Sequence, residues 1–290
     1  MRLHIVPPRT GLTWARSGIR AFWRQPLALT GLFCPFAGLQ ILAAVLPLPL
    51  SALLLVLVPA VTLGLMAATR EVVAGHPARP HMLLAGFRAG PAYARPLLLL
   101  GLFYAIGVLV VMAIAMGISA LVDGGQPATP YVAGGDVTKL LTSDLGGRAT
   151  AALLYLFLSM LFWHAPALVF WYRVSPPKSL FFSVVACIRN MGAFTLYGLA
   201  WAGIFVAGSL AAAFVVTLIL LTGLLGGPTS PAAIVIAGGL MSGSALVLAA
   251  MFFTSLYFTF IDCFVQPPHA STTATILEDA DEPPPAAGPH

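Results

Sequence analysis

The stretch Lys178–Leu199, KSLFFSVVACIRNMGAFTLYGL, decides how the chain folds. Its first half has the periodicity of an amphipathic helix. Leu180, Phe181, Val184, Val185 and Ile188 fall on one side, and Ser179, Ser183, Ala186 and Asn190 on the other. Past Asn190 the chain turns apolar for about thirty residues, more than the roughly twenty a helix needs to cross a bilayer. A surface helix that feeds a membrane span is therefore one unit of construction, and two upstream segments share its layout.

Composition leads to the same place. Of 290 residues, 59% are hydrophobic and only 8% are charged, whereas a soluble domain carries roughly a quarter charged residues. So few charges cannot coat a globule of this size, and lipid requires no such coat. The expectation is all-α: a polytopic transmembrane helix bundle, six spans arranged as three hairpins with cytoplasmic interfacial amphipathic helices.

The spans read as about 27–46, 50–68, 97–121, 149–172, 196–225 and 232–261. Residues 1–11 form a short polar lead. From Leu12 to Arg24 comes the first surface helix, with Leu12, Ala15, Ile19, Phe22 and Trp23 on one arc and Arg9, Arg16, Arg20 and Arg24 on the adjacent one. Such a helix is expected to lie flat at the headgroups, apolar side down. Its basic start resembles a signal peptide, but the apolar run from Leu27 to Leu46 is too long for one and a second span follows at once. Residues 1–264 form the transmembrane domain. The stretch 265–290 is Pro- and Ala-rich with Glu278, Asp279, Asp281 and Glu282, and reads as a disordered acidic cytoplasmic tail.

Orientation follows from the positive charges. Arg2, Arg9, Arg16, Arg20 and Arg24 precede the first span. Arg70, Arg79, Arg88 and Arg95 lie in the 69–96 loop, and Arg173, Lys178 and Arg189 in the loop before span five. The other side has Lys139 and Arg148 against Asp123, Asp136 and Asp144. The alternation predicts a bacterial inner-membrane protein with both termini in the cytoplasm. The same scatter of basic residues among apolar ones argues against nucleic-acid binding. Anionic membrane lipids are the expected partners, with Arg16, Arg20, Arg24, Lys178 and Arg189 at their headgroups.

Three segments share one layout: RQPLALTGL from Arg24, RPLLLLGL from Arg95, and RNMGAFTLYGL from Arg189. Pro59-Ala60 in span two and Pro166-Ala167 in span four extend the match, which decays in span six. The reading is three parallel units of surface helix plus hairpin, the middle surface helix weakened by Gly90-Pro91. The segments WARSGIRAFWRQPLALTGLF, LGLMAATR, ALVDGG, FWHAPALVFW, SLFFSVVACIRNMGAFTLYGLAW and SLYFTFIDCF are also distinctive. Together they resemble an uncharacterised proteobacterial family of six-helix inner-membrane proteins, known from Burkholderia, over residues 1–264. That resemblance implies an inner-membrane location, and an aromatic residue where this chain has His164.

Chemistry is sparse. No acid or base sits near a span centre, as a proton- or sodium-coupled carrier would require. There is no nucleophile elbow, phosphate loop or HExxH motif, so neither catalytic residues nor a cofactor are expected. Cys34, Cys187 and Cys263 have no metal-type spacing; they read as buried thiols, and no metal site is expected. Two residues form a possible intramembrane polar site. His164 is either a proton or metal site, or a neutral imidazole bonded across helices beside Pro166. Asp262 is either paired with Arg189 or Arg24 at the inner rim, or a hydrated terminus. Gly239-xxx-Gly243 and the row Gly203, Ala207, Ala211 suit close helix packing within the monomer, and the tryptophans suit an interfacial belt. The function expected is a non-enzymatic component that organises lipid or a partner. Its rival is a permease or channel for a small neutral or lipid-like solute.

Overall fold

The computed structural model describes residues 2–122, 145–223, 227 and 229–265. Most of the 122–148 connection and the acidic tail therefore lie outside the described residues. Chain order runs α1 (Thr10–Phe22), α2 (Pro26–Val45), α3 (Leu48–Leu55), α4 (Val58–Val73), a 3-10 turn at Pro80–Leu84, α5 (Ala85–Arg88) and α6 (Pro91–Val122). It continues with α7 (Leu145–Phe162), α8 (Ala165–Tyr172), α9 (Pro176–Arg189), α10 (Met191–Leu221) and α11 (Pro231–Cys263). Six helical stretches are long and apolar enough to span: Pro26–Val45, Leu48–Val73, Pro91–Leu121, Gly146–Tyr172, Met191–Leu221 and Pro231–Cys263. The protein is an all-α polytopic bundle.

Prolines open α2, α3, α4, α8, α9 and α11, where the missing N–H would have no helical partner anyway. Pro59 and Pro166 do more than kink. Each divides its span into two helices, α3 from α4 and α7 from α8, whereas Pro35 sits inside an unbroken α2.

The three-unit layout reappears as α1 with its hairpin α2/α3–α4, α5 with α6/α7–α8, and α9 with α10/α11. The middle surface segment is the weakest, only a 3-10 turn and one helical turn. Each surface segment packs chiefly beneath a neighbouring hairpin. α1 lies against α10 and α11, the 3-10 turn and α5 against α4, and α9 against α7 and α8. The units thus close into a ring through a collar of surface helices.

In the collar the protein side of each helix is set by fit rather than by hydrophobicity alone. In α1 the buried seam is Gly11, Trp14, Ala15, Gly18 and Phe22, while Leu12 and Trp23 are exposed. A methyl group on Gly11 would collide with the carbonyl oxygen of Ala193, and one on Gly18 with the Ser255 side chain. Glycine is what lets α1 lie on the backbones of α10 and α11. In α9 the buried residues include Ser179, Ser183, Ala186 and Cys187, while Phe181 is 64% exposed and Ile188 is also exposed. The reason is the solvent. An apolar face surrounded by lipid gains nothing by turning inward, so in α9 small residues that permit close contact take the protein side, while in α1 the glycines share the seam with Trp14 and Phe22.

Three further expectations change. Among the described residues Gly203, Gly239 and Gly243 have open space around them, so they seat no described helix of the chain. Trp14 and Trp201 are core residues rather than belt residues, at 1% and 2% exposure. All three cysteines are free, but Cys34 is exposed and only Cys187 and Cys263 are buried.

Candidate functional site: the collar rim

The collar is fastened by a small set of buried polar groups. Asn190, between α9 and α10, accepts from the Val6 N–H at 2.8 Å and donates to the carbonyls of His4 and Ala186 at 3.1 Å each. It thereby pins the N-terminal lead, whose Arg2–Leu3 pairs antiparallel with Phe264–Val265 at the end of α11. The break in span four is mended from α9. The His164 N–H, which would have bonded the Met160 carbonyl in an unbroken helix, donates to Ser183 Oγ at 3.0 Å; that hydroxyl donates to the Met160 carbonyl at 2.7 Å. Burial, with Cys263 nearby, pushes the Cys187 thiol up, so it stays protonated and unreactive.

The five residues expected at lipid headgroups, Arg16, Arg20, Arg24, Lys178 and Arg189, are all exposed. Arg24 is partly engaged: its Nη1 donates to the Val73 carbonyl at 3.2 Å, at the end of α4 where carbonyls lack helical partners. Beside it, Gln25 straps the following turn, donating to the His76 carbonyl and accepting from the Ala78 N–H. Asp262 is not paired with Arg189 or Arg24. Its Oδ2 accepts from Trp14 Nε1 at 2.7 Å, which locks α1 to α11.

A basic pocket of about 550 Å³ opens on the same rim. Arg70 of α4, Arg79 before the 3-10 turn and Arg88 of α5 line it, with His76, His81 and Glu71. Glu71 meets His76 at 3.0 Å. Trp171 forms a wall, with the Arg70 guanidinium carbon 5.8 Å from its ring centre. Arg70 and Trp171 also border a notch of about 350 Å³ lined by Tyr257, Phe260 and Ile261. Nearby, Arg173 ends α8 in the left-handed conformation, φ 55°, and places its guanidinium carbon 3.6 Å from the Tyr93 ring centre. Among the described residues there are only two carboxylates, Glu71 and Asp262, and both are already bonded.

A probable inner membrane protein of Burkholderia thailandensis is 37% identical over 287 residues, covering 93% of this chain and 97% of that protein. The chain belongs to that family. With six candidate spans of its own and a relative named as an inner membrane protein, this chain is a multi-pass protein of the inner membrane. No family model matches the chain, and no solved structure does.

His164 is fully buried, with Phe194, Phe260 and Phe264 ring centres 5.9, 5.9 and 5.3 Å from its own. Among the described residues neither ring nitrogen meets a hydrogen-bond partner, so the expected bond across helices is not made there. Among the described residues no group of metal-ligating side chains surrounds it. His164 and Asp262 do not form one polar site; each is bonded or packed separately. Sequence reasoning counted Arg70, Arg79 and Arg88 as loop charges and missed that they converge. The available signal was a spacing of nine between them, interrupted by His76 and His81, in a loop with one acid.

Proposed function

We propose that this protein is a non-enzymatic inner-membrane component that gathers anionic lipid around its collar, and so organises lipid or a partner complex there. The collar faces the cytoplasm in this reading, because the basic residues lie on that side of the alternating spans. What carries it is charge: the rim presents Arg16, Arg20, Lys178, Arg189 and the Arg70–Arg79–Arg88 pocket, while of the two described carboxylates Asp262 is bonded to Trp14 and Glu71, the single acid in that pocket's described lining, is bonded to His76. Guanidinium forks suit phosphate oxygens, and each basic residue near an anionic surface contributes about 1 kcal/mol. Aromatic packing around His164 supports a scaffold over a permease, which would want a hydrated polar path.

The test is extraction into native nanodiscs followed by lipid mass spectrometry. Arg70→Gln, Arg79→Gln and Arg88→Gln together are expected to lower the anionic share of co-extracted lipid, and Arg16→Gln with Arg20→Gln to lower it further. An unchanged lipid profile in the combined variant would remove the basis of this reading.

A further inference from the structure

Both proline breaks border one cleft. It holds about 300 Å³ between α2, α4, α6, α7, α8 and α11, near the middle of the spans. Phe36, Phe162, Trp163 and Phe253 wall it, along with the break prolines Pro59 and Pro166. Tyr155, 48% exposed, stands at its edge, so the mouth opens sideways from the bundle. In a membrane, broken backbone persists where protein buries it or where it lines a cavity, and substrate sites are built this way.

The polar atoms in the wall are mostly engaged. Thr62 Oγ1 donates to the Val58 carbonyl, Ser159 Oγ to the Leu156 carbonyl, and Trp163 Nε1 to Thr259 Oγ1. Gln40 differs: its side chain lines the cleft, but its Oε1 is buried away from the open space and meets no donor among the described residues, so a turn of the amide brings that oxygen to the cleft. Among the described residues the other buried side-chain atoms without partners belong to His164 and Trp201, neither of which lines this cleft. Tyr104 and Tyr155 hydroxyls lie 3.3 Å apart, so one donates to the other and a single O–H is left over. Among the described residues no charged side chain borders the space.

These facts define a ligand. It is neutral, since nothing there compensates a charge. Its body is apolar, and the part inside the cleft is on the order of ten water-sized groups at about 30 Å³ each. It must offer a donor to Gln40 and can accept the spare tyrosine O–H, and a hydroxyl does both. We infer that the cleft between the two broken helices binds a membrane-dissolved alcohol, its hydroxyl donating to Gln40 Oε1 and its apolar body lying among the aromatic rings. This site is independent of lipid binding at the collar, and either can fail without the other.

The experiment is photolabelling of the full chain in nanodiscs with a diazirine-bearing octanol, alongside the matching diazirine-bearing octane. The alcohol is expected to label peptides holding Phe36–Gln40 and Tyr155–Phe162 well above the lipid-facing Val206–Phe214 of α10. Gln40→Leu should lower cleft labelling by the alcohol about fivefold, the worth of one hydrogen bond, and leave labelling by the hydrocarbon unchanged. Ser159→Phe fills the cleft and should remove labelling there by both probes; with thermal unfolding unchanged, it decides the matter even if Gln40→Leu folds poorly. Equal cleft labelling by both probes in the native protein and in Gln40→Leu would make the cleft a mere packing gap and overturn the assignment. So would cleft labelling that survives Ser159→Phe.

Discussion

The collar end of the bundle and the far ends of α10 and α11 are built on opposite terms. At the collar, Gly11 and Gly18 touch backbone and side chain of the last hairpin, and Asn190, Ser183 and the Trp14–Asp262 bond close over buried polar groups. At the far end, Gly238, Gly239 and Gly243 have no neighbour within van der Waals reach among the described residues, and Leu210, Phe214, Leu221 and Val235 are exposed. One end spends its small residues on contact and the other leaves them to lipid. The difference teaches where the fold is specified. Apolar helix packing carries little specificity when the surrounding solvent is equally apolar, so steric seams and buried hydrogen bonds at the collar do that work.

The largest expected effect on this contrast is Gly18→Leu. It forces α1 off Ser255 and should cost about 3 kcal/mol or more, read as a large drop in thermal unfolding midpoint in nanodiscs. Asn190→Leu strands the Val6 N–H and the His4 carbonyl. Each unsatisfied group costs about 1–3 kcal/mol, and earlier proteolysis of residues 2–9 is the expected sign. Ser183→Ala removes the splice between His164 and Met160 and should cost about 1–3 kcal/mol, smaller if the ends of α7 and α8 shift to rejoin. Least affected is Gly239→Ala with Gly243→Ala: unfolding should be unchanged or slightly later, since alanine favours helix by up to about 1 kcal/mol each. Marked destabilisation there would break the contrast.

Much of this was legible in the sequence. Apolar length gave the six spans, but Pro35, Pro59 and Pro166 read alike as kinks, and only the structure shows that the last two divide a span while Pro35 leaves its helix whole. The inward face of each surface helix was not legible from hydrophobicity, because in lipid the aromatic side need not be the protein side. Small residues were the better guide: Gly11, Ala15 and Gly18 in α1, and Ser179, Ser183 and Ala186 in α9, recur at steps of three and four. Partners across long sequence separations stayed hidden. Trp14 with Asp262, Val6 with Asn190, and the convergence of Arg70, Arg79 and Arg88 depend on how the ring closes, which local pattern does not encode.

The most direct measurement is site mapping with a photoreactive phosphatidylglycerol incorporated into nanodiscs with the native chain. The account predicts crosslinks concentrated on α1, on residues 79–88 and on α9, diminishing when Arg70, Arg79 and Arg88 become Gln. Crosslinks spread evenly to Leu218–Leu221 and Ile234–Ile236, and indifferent to those substitutions, would contradict it.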